Sequence, residues 1–187
     1  MPTERVELGP KFGDRIEYFS DKINRRFIIR PFRNEDSEAV IDILNYFFDH
    51  SFAAFPDHRV DYDFIEFIKL SVMDFPFFFI ETDRGENAGF GYMHPYDYSN
   101  VFDRVGELTI FILPHFGGNG LGTVLLEVFT EKARERNIES LLSCISAVNE
   151  DSIGFHIAHG FEECGRFRRI GLKKGQVFDI VWVQKFV

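Results

Sequence analysis

The chain is poor in cysteine, in long apolar runs and in basic charge, and each shortage removes a class of function. Two cysteines in 187 residues, Cys144 and Cys164, are too few for a disulfide framework and lack metal-ligand spacing. They read as reduced thiols in buried segments, and no metal site is expected. The longest apolar stretch, FPFFFI, falls far short of the roughly 20 residues that a bilayer-spanning helix needs. The opening segment, MPTERVELGPKFGDRIEYFSDKINRR, is mixed in charge and has no apolar core of the kind a secretory signal carries, so a cytoplasmic location is expected. Lys and Arg number 21 against 30 Asp and Glu, a net charge of −9. Such a surface repels nucleic acid and anionic membrane, and neither is expected as a partner. Phenylalanine is abundant instead: 24 Phe stand against one Trp, so the interior should be built largely from Phe.

Residues 1–25 show no firm period and are taken as an extension with one short strand or hairpin; a single domain fills 26–187. A strand is predicted from Arg26 to Pro31. It leads to a helix capped by Asn34 or Asp36, with Val40, Ile41, Ile43, Leu44 and Phe47 at helical spacing. The stretch DYDFIEFIKLSVM predicts a second helix with Phe64, Ile65, Phe67, Ile68 and Val72 on one side. FPFFFIET and AGFGYMHPY read as a hairpin, GELTIFILP as the next strand, and LGTVLLEVFTEKARERN as a helix. The alternation continues through strand IESLLSCISAV, a short capped helix in NEDSIGFHIAHG, and two closing strands. The pattern predicts an α/β (α+β) domain with a central, mixed but mostly antiparallel sheet flanked by helices.

The stretch HFGGNGLG places four glycines at one strand-to-helix junction. A chain that turns there into a helix exposes several backbone N–H groups with no preceding carbonyl to bond, and the helix dipole behind them favours an anion such as a diphosphate. No Lys precedes Thr123, which excludes the Walker loop, and the G-x-G-x-x-G dinucleotide fingerprint fails in register. R/Q-x-x-G-x-G/A fits, except that Gly117 stands in its first position.

That last pattern is the acetyl-CoA loop of the GCN5-related N-acetyltransferases (GNAT), and the resemblance extends beyond it. Strand ELTIFILP, loop GGNGLG, the following helix and the stretch N-x-x-S-x-x-x-H-x-x-x-G-F over 149–161 match that family's cofactor-binding core. The likeness covers about 26–185. It is nearest to the phosphinothricin acetyltransferase branch, through NYFF…SFAAF, a Glu at the head of the core strand, and His in place of Tyr on the late helix. The resemblance implies the acyl-CoA N-acyltransferase fold, acetyl-CoA as cofactor, acetyl transfer to the primary amine of a small molecule such as an amino acid or phosphinothricin-like compound, and a homodimer. The alternatives are a silent acyl-CoA-binding domain and a peptide N-terminal acetyltransferase.

Acetyl transfer needs a deprotonated amine, a stabilised oxyanion and a proton for the departing thiolate. The resemblance places Glu107 beside the amine, where burial among Phe and Ile would raise its pKa and suit it to be the base. It places His156 at the catalytic centre as acid or second base; a histidine simply packed beside Phe155 and Phe161 is the other reading. The cofactor would meet the main chain of Ile110, Phe111 and Ile112 and the loop Gly118, Asn119, Gly120, Leu121, Gly122 and Thr123. Asn149 and Ser152 either cap the late helix or also touch the cofactor. The acceptor walls are expected from Phe47, Phe52, Phe55, Tyr92, His94, Tyr96 and Phe102. Between Tyr92 and Arg104 the chain has no Lys or Arg, where the branch carries basic residues, so an aromatic or less acidic amino compound fits better than phosphinothricin.

Overall fold

The computed structural model describes residues 15–187, and the part of the expected extension before Arg15 lies outside them. Eight strands form one sheet in the order β1-β2-β3-β4-β5-β6-β8-β7. They are β1 (Ile16–Ser20), β2 (Arg25–Pro31), β3 (Phe77–Thr82), β4 (Asn87–Pro95), β5 (Val105–Ile112), β6 (Ser140–Ser146), β7 (Glu162–Lys173) and β8 (Gln176–Phe186). Every pairing is antiparallel except β5 with β6. The helices are α1 (Ser37–His50), α2 (Tyr62–Val72), α3 (Leu121–Glu135) and α4 (Glu150–Ala158). This is the mixed, mostly antiparallel α/β sheet that the sequence pattern predicts.

The period-two alternation of the strands separates two cores, one on each face of the sheet. Phe78 and Ile80 of β3 pack with α3, whereas Phe79, between them, packs with α1 and α2. Phe27, Phe79, Phe90, Phe129 and Phe161 are among the largest fully buried side chains, as the Phe-rich composition anticipates.

Residues 16–20, within the segment expected to carry one short strand or hairpin, form edge strand β1, paired with β2 in a hairpin. Other expectations change in the folded chain. Asp36 does sit before α1, but its carboxylate makes no bond to that helix's first turn. It is taken up by the Arg30 guanidinium at 2.8 Å to both oxygens and by the Arg33 N–H at 2.7 Å. Glu81 holds the same guanidinium at 3.0 Å, so a buried cation is shared by two carboxylates. On α2 the buried line is Ile65, Ile68 and Val72, which leaves Phe67 on the outer side and 64% exposed. Cys164 is exposed because β7 is the sheet's outermost strand, and Cys144 is half-buried; both are free thiols. No helix among the described residues is long and apolar enough to cross a membrane.

Candidate active site

The parallel pairing of β5 with β6 lasts for only three residue pairs, ending at Glu107 with Leu142. Beyond it the two strands part, and Leu108–Ile112 faces Ser143–Ser146 across a gap. The gap opens into a cavity of about 280 Å³ whose lining includes Glu107, His94, Tyr92, Cys144 and His156. Ala53–Pro56, from the connection between α1 and α2, close it from above, and Asn149 and Ser152 reach it from the start of α4.

Glu107 and His94 are directly opposite one another in the β4–β5 register. Their nearest atoms, Oε2 and Nε2, are 3.9 Å apart. Burial pushes the Glu107 carboxyl above its ordinary range, and His94 pulls it partly back. His94 Nδ1 lies 2.8 Å from the Pro95 carbonyl, which can only accept, so Nδ1 carries the hydrogen and Nε2 has a free lone pair in the neutral ring. The same logic fixes His156. Its Nδ1 donates to the Ser152 carbonyl at 2.7 Å, and burial lowers its pKa, so the ring is neutral and Nε2 is an acceptor. His156 lines the cavity and packs edge-on against Phe155 and Phe161. A neutral ring with that tautomer has no Nε2 proton to donate. Burial, reinforced by the charge of Glu107, pushes the Cys144 thiol up to about 12, so it is no nucleophile at neutral pH.

The glycine loop begins where Pro114 opens a short turn, Pro114–Phe116, after β5. Gly118 and Gly120 have φ of +66° and +85°, the left-handed region that favours glycine. The helical ladder of α3 starts with the Val124 N–H donating to Gly120. Among the described residues, the N–H groups of 118–123 have no backbone acceptor, six donors at the dipole-positive end of a 15-residue helix. The Asn119 side chain does not join them. It is buried, folds back to donate to the Gly117 carbonyl at 3.1 Å, and leaves Oδ1 unpaired among the described residues. Thr123 donates its hydroxyl hydrogen to His159 Nε2 at 2.9 Å, while His159 Nδ1 lies 2.7 Å from the Phe155 carbonyl. His159 is half-buried.

The cavity unites Phe55, Tyr92, His94, Glu107, Ile110, Phe111, Asn149, Ser152 and His156 of the residues picked from sequence. Ile112 lies just outside it, beside Gly122. Phe52 packs edge-on against Phe178, and Phe102 packs edge-on against Tyr96, and neither is among the residues that line the cavity. Tyr96 is itself exposed beside Trp182, and Phe47 packs behind the cavity on Phe111. Asn149 does cap α4, its Oδ1 accepting from the Ser152 N–H at 3.3 Å, while also lining the cavity.

Sequence reading missed Cys144 and Ser143 as cavity residues. Strand alternation could have found them only once the point at which β5 and β6 separate was known. It also missed Lys173, a buried cation at the β7–β8 turn that donates to the carbonyls of Ser51 at 3.1 Å and Ala54 at 2.7 Å, over the Phe48 ring. Lys173 thereby ties that turn to the segment that roofs the cavity.

The parted strands with the buried Glu107 carboxyl, and the loop of free N–H groups that follows β5, form a site suited to a ligand with an anionic end. The chain belongs to the acetyltransferase (GNAT) family, whose model matches residues 40–161. It is an N-acetyltransferase whose cofactor is acetyl-CoA. It is 26% identical over 158 residues to a phosphinothricin N-acetyltransferase of Streptomyces viridochromogenes, covering 84% of this chain and 86% of that protein. Among solved structures, the ribosomal-protein-alanine N-acetyltransferase of Brucella melitensis superposes with a TM-score of 0.78 at 30% identity, covering 85% of this chain and 99% of that one. A phosphinothricin acetyltransferase of Sinorhizobium meliloti in complex with acetyl-CoA gives a TM-score of 0.79 at 19% identity, covering 85% and 87%, a likeness of fold.

Proposed function

We propose that the acceptor is a small primary amine with an apolar or aromatic body and no strongly anionic group. The observation that carries this reading is the cavity lining. It joins Phe55, Phe64 and Tyr92 to a carboxylate and two histidines, and among the described residues it contains no Lys or Arg. A carboxylate or phosphinate buried there would have no cation to pair with, a cost that an uncharged body avoids. The name of the Streptomyces relative supports an amino compound as substrate, and the roof formed by Ala53–Pro56 favours a small molecule over a protein terminus.

When bound, acetyl-CoA supplies the acetyl group as a thioester. In this reading Gly118, Asn119, Gly120, Leu121, Gly122 and Thr123 hold its diphosphate through their N–H groups, and Ile110, Phe111 and Ile112 hold its arm along the edge of β5. Asn149 and Ser152 meet the arm from α4. Glu107, with His94 beside it, accepts the ammonium and removes one proton, leaving the nitrogen lone pair free to attack. His156 accepts from the other side of the cavity. The N–H groups at the opened edge of β5 face the place where negative charge develops on oxygen. Overall, the nitrogen gains the acyl carbon, the carbon–sulfur bond breaks, and of the two protons leaving the ammonium one passes to sulfur and one to solvent.

The proposed assembly is a homodimer. Edge strand β7 exposes Phe167, Ile170 and Leu172, an apolar surface that a second copy would cover.

The acceptor proposal is tested by thiol release from acetyl-CoA with matched pairs of amines: an aromatic amino acid and its amide or methyl ester, with phosphinothricin as reference. The uncharged derivatives should exceed their parent acids in kcat/KM by about tenfold or more. Higher kcat/KM for the acids or for phosphinothricin overturns the proposal.

A further inference from the structure

The β1–β2 hairpin lies outside residues 40–161 that match the family model, yet it touches the loop most characteristic of that family. The Tyr18 hydroxyl donates to the Asn119 carbonyl at 2.9 Å. The Lys22 ammonium, from the hairpin turn, donates to the Gly118 carbonyl at 2.9 Å, 96 residues away in sequence. The approach is close enough that a Cβ on Gly120 would collide with the Tyr18 hydroxyl, and one on Gly118 would come within 3.3 Å of Lys22 Nζ. The left-handed φ at Gly118 and Gly120 is thus one of two reasons for glycine there; the other is room for the hairpin.

We propose that Tyr18 and Lys22 are positioning residues for the coenzyme A diphosphate: the hairpin grips the carbonyl side of the loop and leaves its N–H side turned to the ligand. The two sides of a peptide unit point in opposite directions. Fixing the carbonyls of residues 118 and 119 therefore also fixes the N–H groups of residues 119 and 120. An ammonium on the Gly118 carbonyl polarises that peptide, so its N–H is a stronger donor to an anion. It also brings a positive charge to a chain of net charge −9, at the loop that must attract a diphosphate. Position 117 has no side chain to help. Gly117 stands where the loop pattern calls for Arg or Gln, and the hairpin cation makes good that loss from outside the motif.

The test separates the diphosphate from the rest of the cofactor. Titration calorimetry measures coenzyme A affinity, and displacement measures S-acetylpantetheine, which lacks the diphosphate and nucleotide. Lys22→Ala should weaken coenzyme A about five- to tenfold and flatten the salt dependence of its binding, and Tyr18→Phe should weaken it about threefold. S-acetylpantetheine should bind both variants as it binds the native chain, and Lys22→Arg should retain native affinity. In turnover the loss should fall on the KM for acetyl-CoA, with kcat unchanged. Equal weakening of both ligands would show that the hairpin only supports the fold. Unchanged coenzyme A affinity in both variants would show that it has no part in binding. Either result overturns the proposal. Because calorimetry needs no acceptor, the outcome is independent of which amine the enzyme acetylates.

Discussion

Replacing Glu107 by Gln keeps the shape of the side chain and removes only its capacity to take a proton. The native carboxyl keeps 19% of its side-chain surface exposed, faces His94, and has its pKa raised by burial. Two effects of opposite sign follow. Loss of a positioned base typically costs about 10²–10⁴ in rate, so kcat/KM for the acceptor should fall at least a hundredfold, roughly 3 kcal/mol of barrier. Stability should move the other way. A carboxyl with a raised folded pKa binds protons more tightly in the folded chain than in the unfolded one. Its contribution to stability is complete below the unfolded value, near ~4.3, and is lost as pH rises through the folded value. At pH 7 the native chain therefore bears the cost of a buried charge, and Gln relieves it. A relief of about 1 kcal/mol would raise Tm by about 2–4 °C in a chain of this size. The gain should disappear near pH 4, where the native carboxyl is also neutral. Initial rates of thiol release, calorimetric titration with coenzyme A, and thermal melts at both pH values provide the measurements. Turnover equal to native would refute the base assignment. A parallel loss of coenzyme A affinity would place Glu107 in cofactor binding instead. A lower Tm at pH 7 would falsify the claim that its burial is a cost.

Asp36→Asn should destabilise the fold by about 3 kcal/mol, because among the described residues it leaves the buried Arg30 guanidinium with Glu81 as its one carboxylate; a urea titration should show a midpoint lower by about 1 M or more. If the β7 face is a dimer surface, light scattering should give twice the 21.8 kDa chain mass, and Phe167→Glu should return it to the mass of a single chain. A single-chain mass for the native protein refutes the dimer proposal.

Local chemistry is legible from sequence where neighbours along the chain impose it. The 3.6-residue period of Val40, Ile41, Ile43 and Leu44 marked α1, and these four residues are buried where that period puts them. The glycine loop was readable because its backbone requirements leave few residue choices. Asp36 is instructive: it stands at the N-cap of α1 as an acidic residue before a helix should, but only the folded sheet brings Arg30 close enough to take its carboxylate. For Phe52 and Phe102, hydrophobicity says that they will pack, not against what. Lys22 carries no local signal at all. A lysine in a hairpin turn is ordinarily a solvated charge, and its place on the glycine loop comes from the order of six intervening strands and helices.

Lys173 gives the acceptor cavity a timetable. The glycine loop, Glu107 and His156 all lie upstream of it, whereas the Ser51 and Ala54 carbonyls that it holds lie 122 and 119 residues earlier. A chain emerging from the ribosome thus makes its chemical apparatus before it can fasten the roof over the acceptor. Lys173 itself lies outside the cavity lining, so changes at the β7–β8 turn are expected to alter the roof without replacing Glu107, His156 or the glycine loop.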